Sequence, residues 1–404
     1  MSTAACAARE GAAAWFSYAR QMRRYFHMNP ELAAEEYNTA AAIEHELDRA
    51  GLRHGRTAGT GVWADIHGTR PGDGLVVLRA DIDALPVTEL HECPYRSTVP
   101  GKMHACGHDA HAAALLAAAR ILTEHRDMFG GTVRLIFQPG EEICYGAKRV
   151  VAEGLVDAAD RILGIHMASN VPVGQVVVMP GPNCASVDWF RISVQGRASH
   201  IASPEQGADA AWIASQILIG SQGLLTRRTN PMEQALIGIG KLQAGTTWNV
   251  VAPTAELEGT LRTFSGAVRA RLQEQLGSLA RQTARTWGGT ASIEWQDYTA
   301  LLSNDPAAAR EVQQTAAALF GAEHVITSRN PSLGGDDFAE FLRCVPGVYA
   351  FIGSASPEIP ESMVAHHDDH FDIDERALEV AAALYAGYAM DWLNRTCMTG
   401  DYII

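Results

Sequence analysis

Between Gly61 and Met167 the chain alternates strand-like and helical stretches, and this alternation restricts the fold more than any other feature. "GVWADIHG" and "GLVVLRADIDALPV" read as strands on either side of a "TRPGDG" turn. A helix follows over 102–125, then "GGTVRLIFQPG" as strand, "EEICYGAKRVVAEG" as helix and "RILGIHM" as strand. Parallel strands need crossovers long enough to hold a helix, so this order predicts an α/β domain with a mainly parallel sheet. Upstream, helical spacing from Trp15 to Phe26 stops near Pro30, and Asn38 reads as the N-cap of a helix ending at Gly51.

The pattern changes near Val187. "DWFRISVQG" alternates as a half-exposed strand, and a long amphipathic helix follows. "QALIGIGKLQAG" and "TAELEGTLRTF" are strands, "AVRARLQEQLGSLARQTARTWG" a helix and "TASIEWQDY" a strand. This β-α-β-β-α-β order predicts a small two-layer α+β domain with an antiparallel sheet. Beyond it, "GVYAFIG" needs a sheet to join. The expected organisation is therefore one domain over 1–186 and 300–404, with 187–299 inserted into it.

A chain of 404 residues with 47% hydrophobic content can build two cores. Its net charge of -14 and the lack of a basic stripe argue against a nucleic-acid partner. Seven cysteines without a C-x-x-C pair argue against a disulfide framework and for a reducing, cytoplasmic setting. The Ala-rich start lacks the basic and apolar regions of a signal peptide, and no run reaches the roughly 18 apolar residues of a membrane span.

In open α/β sheets ligands gather at the carboxyl ends of the strands. Asp81 and Asp83 follow one apolar run, Glu141 and Glu142 a second, and His166 a third. "MHACGHDAH" adds Cys106, His108, Asp109 and His111, and "AHHDDHFDID" at 365–374 is rich in the same types. Each has a plainer reading: a hydrogen-bonded strand-end histidine, a buried thiol, a carboxylate favoured by a helix dipole, a solvated turn. Those readings do not predict their coincidence. Thiolate, imidazole and carboxylate together suit a borderline divalent ion. Two ions about 3.5–4 Å apart can share a ligand and activate water. Adjacent glutamates point in different directions, so one can bind metal while the other serves as base. The combination suits metal-assisted amide hydrolysis.

These segments, with "FQPGEE", "GIHM", "QGRASHIASP", "GTLRTF", "GGDDFAEF" and "HHDDHFDIDE", occur in an order that resembles the amidohydrolase branch of the aminoacylase and carboxypeptidase dinuclear metallohydrolases. That branch includes hippurate hydrolases, auxin–amino-acid conjugate hydrolases and N-acyl-amino-acid deacylases. The resemblance spans nearly the whole chain and implies a zinc-peptidase-like catalytic domain with an inserted lid and dimerisation domain. It implies two divalent ions per subunit, zinc or manganese, with cobalt or nickel as alternatives. Cys106, His108, Glu142, His166 and His367 would be the ligands; in the family the last histidine lies four residues before an aromatic-Asp pair, here Phe371-Asp372, which implies His367 rather than His366 or His370. Glu141 would be the general base and later proton donor, and Asp81 would orient the site. His200 would polarise the scissile carbonyl from the partner subunit, while Asn249 and Arg262 would hold the substrate carboxylate.

The implied activity is hydrolysis of N-acyl amino acids by a homodimer or higher oligomer. The alternatives are a dipeptidase or carboxypeptidase on the same site, or a metal-bearing binding protein without turnover. A Cys106–His108 thiol nucleophile would leave Glu141, Glu142, His166 and His367 without work. Two places depart from the family pattern: Asp336 stands where glutamate is usual, and "HHDDHF" at 366–371 lacks the usual proline-containing turn.

Overall fold

The computed structural model describes residues 2–399 of the chain. It comprises two compact units: Met1–Asn183 with Ser303–Asn330 and Asp336–Ile404, and Cys184–Leu302 with Pro331–Gly335.

The first unit opens with helices α1 (Thr3–Met28) and α2 (Tyr37–Arg49) and strands β1 (Arg53–Thr57), β2 (Gly61–His67) and β3 (Arg70–Asp81). Helix α3 (His108–Glu124), β4 (Gly130–Gln138), α4 (Gly146–Ala152), β5 (Arg161–Pro172) and β6 (Val176–Val177) follow. The eight-stranded sheet has the order β1-β2-β4-β3-β5-β14-β6-β13, with β13 (Val325–Ile326) and β14 (Gly347–Ala355) supplied by the end of the chain. β4, β3, β5 and β14 run parallel at its centre, while β1, β2 and the β14–β6 pair are antiparallel. Short strands β7 (Gly181–Cys184) and β12 (Leu302–Asn304) form a separate two-stranded sheet.

Helix α3 is buried almost all round, packed among α1, α9 (Ala377–Thr399) and the sheet. Its alanines suit that place, because small side chains let a helix approach its neighbours closely on every side. Helices α7 (Pro306–Phe320) and α8 (Ala339–Leu342) complete the unit.

Five local readings need correction, the first being the helix expected over 102–125, which starts at His108 because Gly107 before it has a left-handed backbone. Helix α1 starts at Thr3 rather than near Trp15, capped by the Ser2 side chain, because the Ala-rich start favours helix strongly. Helix α2 starts at Tyr37, and Asn38 is not its cap. Glu31 accepts from the Asn38 and Thr39 backbone amides at 3.1 and 2.8 Å, doing the work of an N-cap from the preceding loop. "TRPGDG" is an irregularity inside β3, whose pairing to β4 shifts register between Arg70 and Leu75. Helix α4 begins only at Gly146, leaving Glu141–Cys144 as a turn closed by Cys144 N–H on the Glu141 carbonyl at 2.7 Å.

In the second unit β8 (Ser186–Gln195), α5 (Ala210–Arg227), β9 (Ala235–Ala244), β10 (Thr254–Thr263), α6 (Gly266–Thr286) and β11 (Thr290–Thr299) follow in turn. The sheet order is β11-β8-β10-β9, all antiparallel. Phe190, Ile192 and Leu257 from the sheet pack with Ile213 and Ile217 of α5 and Leu272 and Leu276 of α6.

Candidate metal centre

The carboxyl end of β3 presents Asp81, the end of β4 leads to Glu141, and β5 carries His166. Between Cys106 and His108, the first residue of α3, lies Gly107 with φ +96°. A Cβ there would stand 3.1 Å from Cβ of Met167, so glycine is required both by the left-handed backbone and by the close approach to β5.

Hydrogen bonds fix the tautomers of three histidines. Nδ1 of His108 donates to the Asp83 carbonyl at 2.9 Å, so Nε2 offers a lone pair. That Nε2 is buried and has no hydrogen-bond partner. Nδ1 of His166 donates to the Met167 carbonyl at 2.7 Å, which turns its Nε2 toward Sγ of Cys106 at 3.5 Å. His111 differs. Its Nδ1 donates to Asp81 and its Nε2 accepts from the Met167 amide at 2.8 Å, so both nitrogens are used.

The structure brings five predicted ligands together. Ligand atoms of Cys106, His108 and His166 lie within 4.8 Å of one another, as do those of Cys106, Glu142 and His367, and of His108, Glu141 and Glu142. Nε2 of His367 is 3.3 Å from Oε1 of Glu142, an oxygen that is buried and lacks a good hydrogen bond. His366 instead packs its ring 4.9 Å from Phe371. The missing proline turn is replaced by Asp368, whose carboxylate accepts from the His370 amide at 2.9 Å.

The pocket favours positive charge at His108 and His367, while burial, then His111 and His366, hold the pKa of His166 well below the ordinary value. Burial opposes a charge on His108, but Asp81 and Cys106 favour one and prevail, raising its pKa well above the ordinary value. Cys106 and Glu142 raise that of His367 to about 10. The two adjacent glutamates part ways. Burial, then Asp336 and Glu142, pushes Glu141 well above the usual carboxylate range. Glu142 is lowered, because His367 and His108 outweigh its burial. A proton or a divalent ion on the bare nitrogens would meet the same demand, and soft thiolate with imidazole and carboxylate is a donor set that suits the ion.

Behind these groups lies a buried polar layer. Arg79 reaches Asp81 at 2.5 Å and Asp337 at 3.1 Å, and Gln138 donates to Asp337 at 2.8 Å. Asp337 N–H points at Oε1 of Glu141, 3.4 Å away. The departure at Asp336 is accommodated by Tyr349, whose hydroxyl donates to its carboxylate, and by the Phe338 amide at 2.7 Å.

The sequence points to a supporting rather than ligating role for Asp109 and His111, and assigns Asp83 none. Asp83 contacts Nδ1 of His108 at 3.2 Å and accepts from the Glu142 amide at 3.0 Å, linking two predicted ligands. The spacing in "RADID" was the available signal: alternate residues share one face of an extended segment.

His200, Asn249 and Arg262 belong to the second unit. His200 bridges Val250, and the Ile201 amide donates to the Asn249 carbonyl at 3.1 Å, so His200 and Asn249 sit on neighbouring extended segments. Arg262 lies on β10 and donates to the Leu333 carbonyl at 2.7 Å.

A profile of the family described as Peptidase family M20/M25/M40 matches residues 77–391. An N-acetyl-L-cysteine deacetylase of Bacillus subtilis is 38% identical over 88% of this chain and 84% of its own. The IAA-amino acid hydrolase ILR1-like 4 of Arabidopsis thaliana is 32% identical over 94% of this chain and 86% of its own. The crystal structure of the Bacillus subtilis YXEP protein, described as a dinuclear metal binding peptidase from the M20 family, superposes with a TM-score of 0.83 at 34% identity, covering 94% of this chain and 99% of that one. Profile, relatives and fold agree with the arrangement of the strand-end residues: the chain belongs to peptidase family M20/M25/M40 and is an amidohydrolase.

Proposed function

We propose that the protein hydrolyses the amide bond of N-acyl amino acids, releasing a carboxylic acid and a free amino acid, at a centre for two divalent ions. The observation that carries the reading is the buried, unpartnered Nε2 of His108, converging with Cys106, His166 and the Glu142–His367 pair beside the protonatable Glu141. Cys106, His108, Glu142, His166 and His367 would hold the ions. Bound there, divalent ions supply Lewis acidity that polarises a carbonyl and acidifies water. The thiolate favours zinc on softness; manganese, cobalt and nickel are the competing choices.

The protein's own groups manage protons and position. Glu141 takes a proton from the attacking water as its oxygen bonds to the acyl carbon. It returns that proton to the amine nitrogen as the C–N bond breaks. Its raised pKa suits both duties. Asp83 holds the His108 ring and Asp81 holds His111. His200 would donate to the oxyanion, from the partner of a homodimer, and Asn249 and Arg262 would bind the substrate carboxylate. Exposed Trp212 and Ile219 on α5 give such a dimer apolar surface to bury. Cys6, Cys93, Cys106, Cys144 and Cys344 carry free thiols, which suits a reducing, cytoplasmic setting.

An N-acetyl-L-cysteine deacetylase and an IAA-amino acid hydrolase among the relatives support acylated amino acids as substrates. A second reading, a peptidase, is favoured by the thermostable carboxypeptidase 2 of Saccharolobus solfataricus, 33% identical over 93% of this chain. The test is apoprotein reloaded with each metal and given N-acetyl and N-benzoyl amino acids, an indoleacetyl amino acid and free dipeptides, with released amine measured. Acylated amino acids should be cleaved and dipeptides spared. Faster dipeptide cleavage would select the peptidase; a metal-loaded but inert protein would make it a binding protein.

A further inference from the structure

Helix α1 supplies none of the proposed ligands, yet it sends a fully buried guanidinium into the ground beneath them. Nε of Arg23 donates to Oδ2 of Asp109 at 2.8 Å, and its Nη2 donates to Oδ1 of Asp372 at 2.6 Å. Asp109 is the residue after His108, and Asp372 follows His367 by five positions. We propose that Arg23 is a positioning residue for the metal centre, joining the helix start that bears His108 to the loop that bears His367. The inference rests on the ligand assignment made above.

The surrounding contacts fit a clamp. Tyr95 stacks under the guanidinium, with the carbon of the group 4.8 Å from the ring centre, and its hydroxyl donates to the second oxygen of Asp372 at 2.7 Å. His27, one turn along α1, bonds Asp109 Oδ2 at 2.8 Å and Glu89 at 3.2 Å. Both carboxylates are thus held from two sides. The loop they secure needs securing, because His367 has φ +71°, a backbone state that a residue with a Cβ keeps only when its surroundings enforce it. Its amide also donates to the Ala105 carbonyl at 2.7 Å, which draws the same loop to the Cys106 segment.

A plain structural role explains these features less well. Buried ion pairs add little net stability compared with well-packed apolar residues of similar volume. What a planar fork does better than an apolar side chain, or a lysine, is fix two carboxylates in a set direction. Here each carboxylate is tied by backbone to a different predicted ligand. Losing the fork would let the His108 and His367 imidazoles drift relative to each other while the fold persists.

The experiment measures Zn²⁺ affinity of the apoprotein by competition with a chromophoric chelator, well below the unfolding temperature. It compares the unaltered chain with Arg23→Lys, Asp372→Asn and the control Arg134→Met. Arg134 forms a two-point ion pair with Asp65 at 2.8 Å on β2 and β4 and donates to the Leu155 carbonyl at 2.9 Å, and neither partner adjoins a predicted ligand in the sequence. Arg23→Lys and Asp372→Asn should remain folded by circular dichroism and bind Zn²⁺ about 10–100-fold more weakly. Arg134→Met should lose stability but keep its affinity. Folded Arg23→Lys and Asp372→Asn with unaltered affinity would overturn the inference, as would global unfolding by Arg23→Lys, which would make the residue a folding element. If the unaltered chain bound no Zn²⁺, the ligand assignment itself would fall; if it bound Zn²⁺ and the folded variants bound it equally well, the clamp alone would fall.

Discussion

Nδ1 of His111 donates to Oδ1 of Asp81 across 2.5 Å, and this bond decides which imidazoles are open. With its other nitrogen engaged by the Met167 amide, His111 has no lone pair left to offer. It ties α3 to β5 beside His166. His111→Ala would leave Asp81 and the Met167 amide short of partners inside the protein. Each buried unsatisfied group costs about 1–3 kcal/mol. Urea titration should show a loss of at least that size, with Asp81→Asn and His111→Ala sharply non-additive.

Glu141→Gln removes the proton carrier and keeps the shape. Turnover should fall by about 10²–10⁴-fold, the usual worth of general acid–base catalysis. Metal content, measured on the dialysed protein, should stay at the unaltered level. Near-normal turnover in a metal-replete variant would remove Glu141 from the reaction.

Chelation should abolish hydrolysis, and added Zn²⁺ or Mn²⁺ should restore it. Ions that bind only the folded state also stabilise it, by about 2.7 kcal/mol at one hundred times the dissociation constant. Thermal melts with and without metal should therefore separate. A Cys106→Ala variant should show a smaller separation; equal separations would exclude the thiolate as a ligand.

The pKa of Asp372 is lowered, since Arg23 and the Tyr95 hydroxyl outweigh its burial. A depressed folded value means that the stabilisation is fully present above the unfolded carboxylate value of about 3.9 and is lost as pH falls below it toward the folded value. Asp372→Asn should flatten the acid limb of stability against pH in that window while lowering the neutral plateau. Urea midpoints at pH 5, 4 and 3 check this; parallel curves for both proteins would refute it.

The alternation of strands and helices, and the switch of period near Val187, were legible because side-chain burial follows local periodicity directly. Helix starts were less so. Asn38 had the right chemistry for a cap, but Glu31 reached the same amides from the preceding loop, and no local pattern announces an acceptor met through a bend in the chain. Asp83 illustrates the same limit in the centre. Its neighbour in the motif drew the assignment, while the contact with His108 exists only because the carboxyl end of β3 lies against the start of α3.

By itself the sequence determined the kinds of groups available and the strand ends that would carry them: a thiol, imidazoles and two adjacent glutamates at the carboxyl edge of one sheet. Only the tertiary structure decided what each group is free to do. His108 and His111 lie on the same helix within one turn, yet a carbonyl orients one to present a lone pair and an amide consumes the lone pair of the other. Glu141 and Glu142 share a peptide bond, yet burial among carboxylates lifts one pKa and facing imidazoles lower its neighbour's. Hydrogen-bond direction and local dielectric depend on atoms distant in the chain, and the fold alone brings those atoms together.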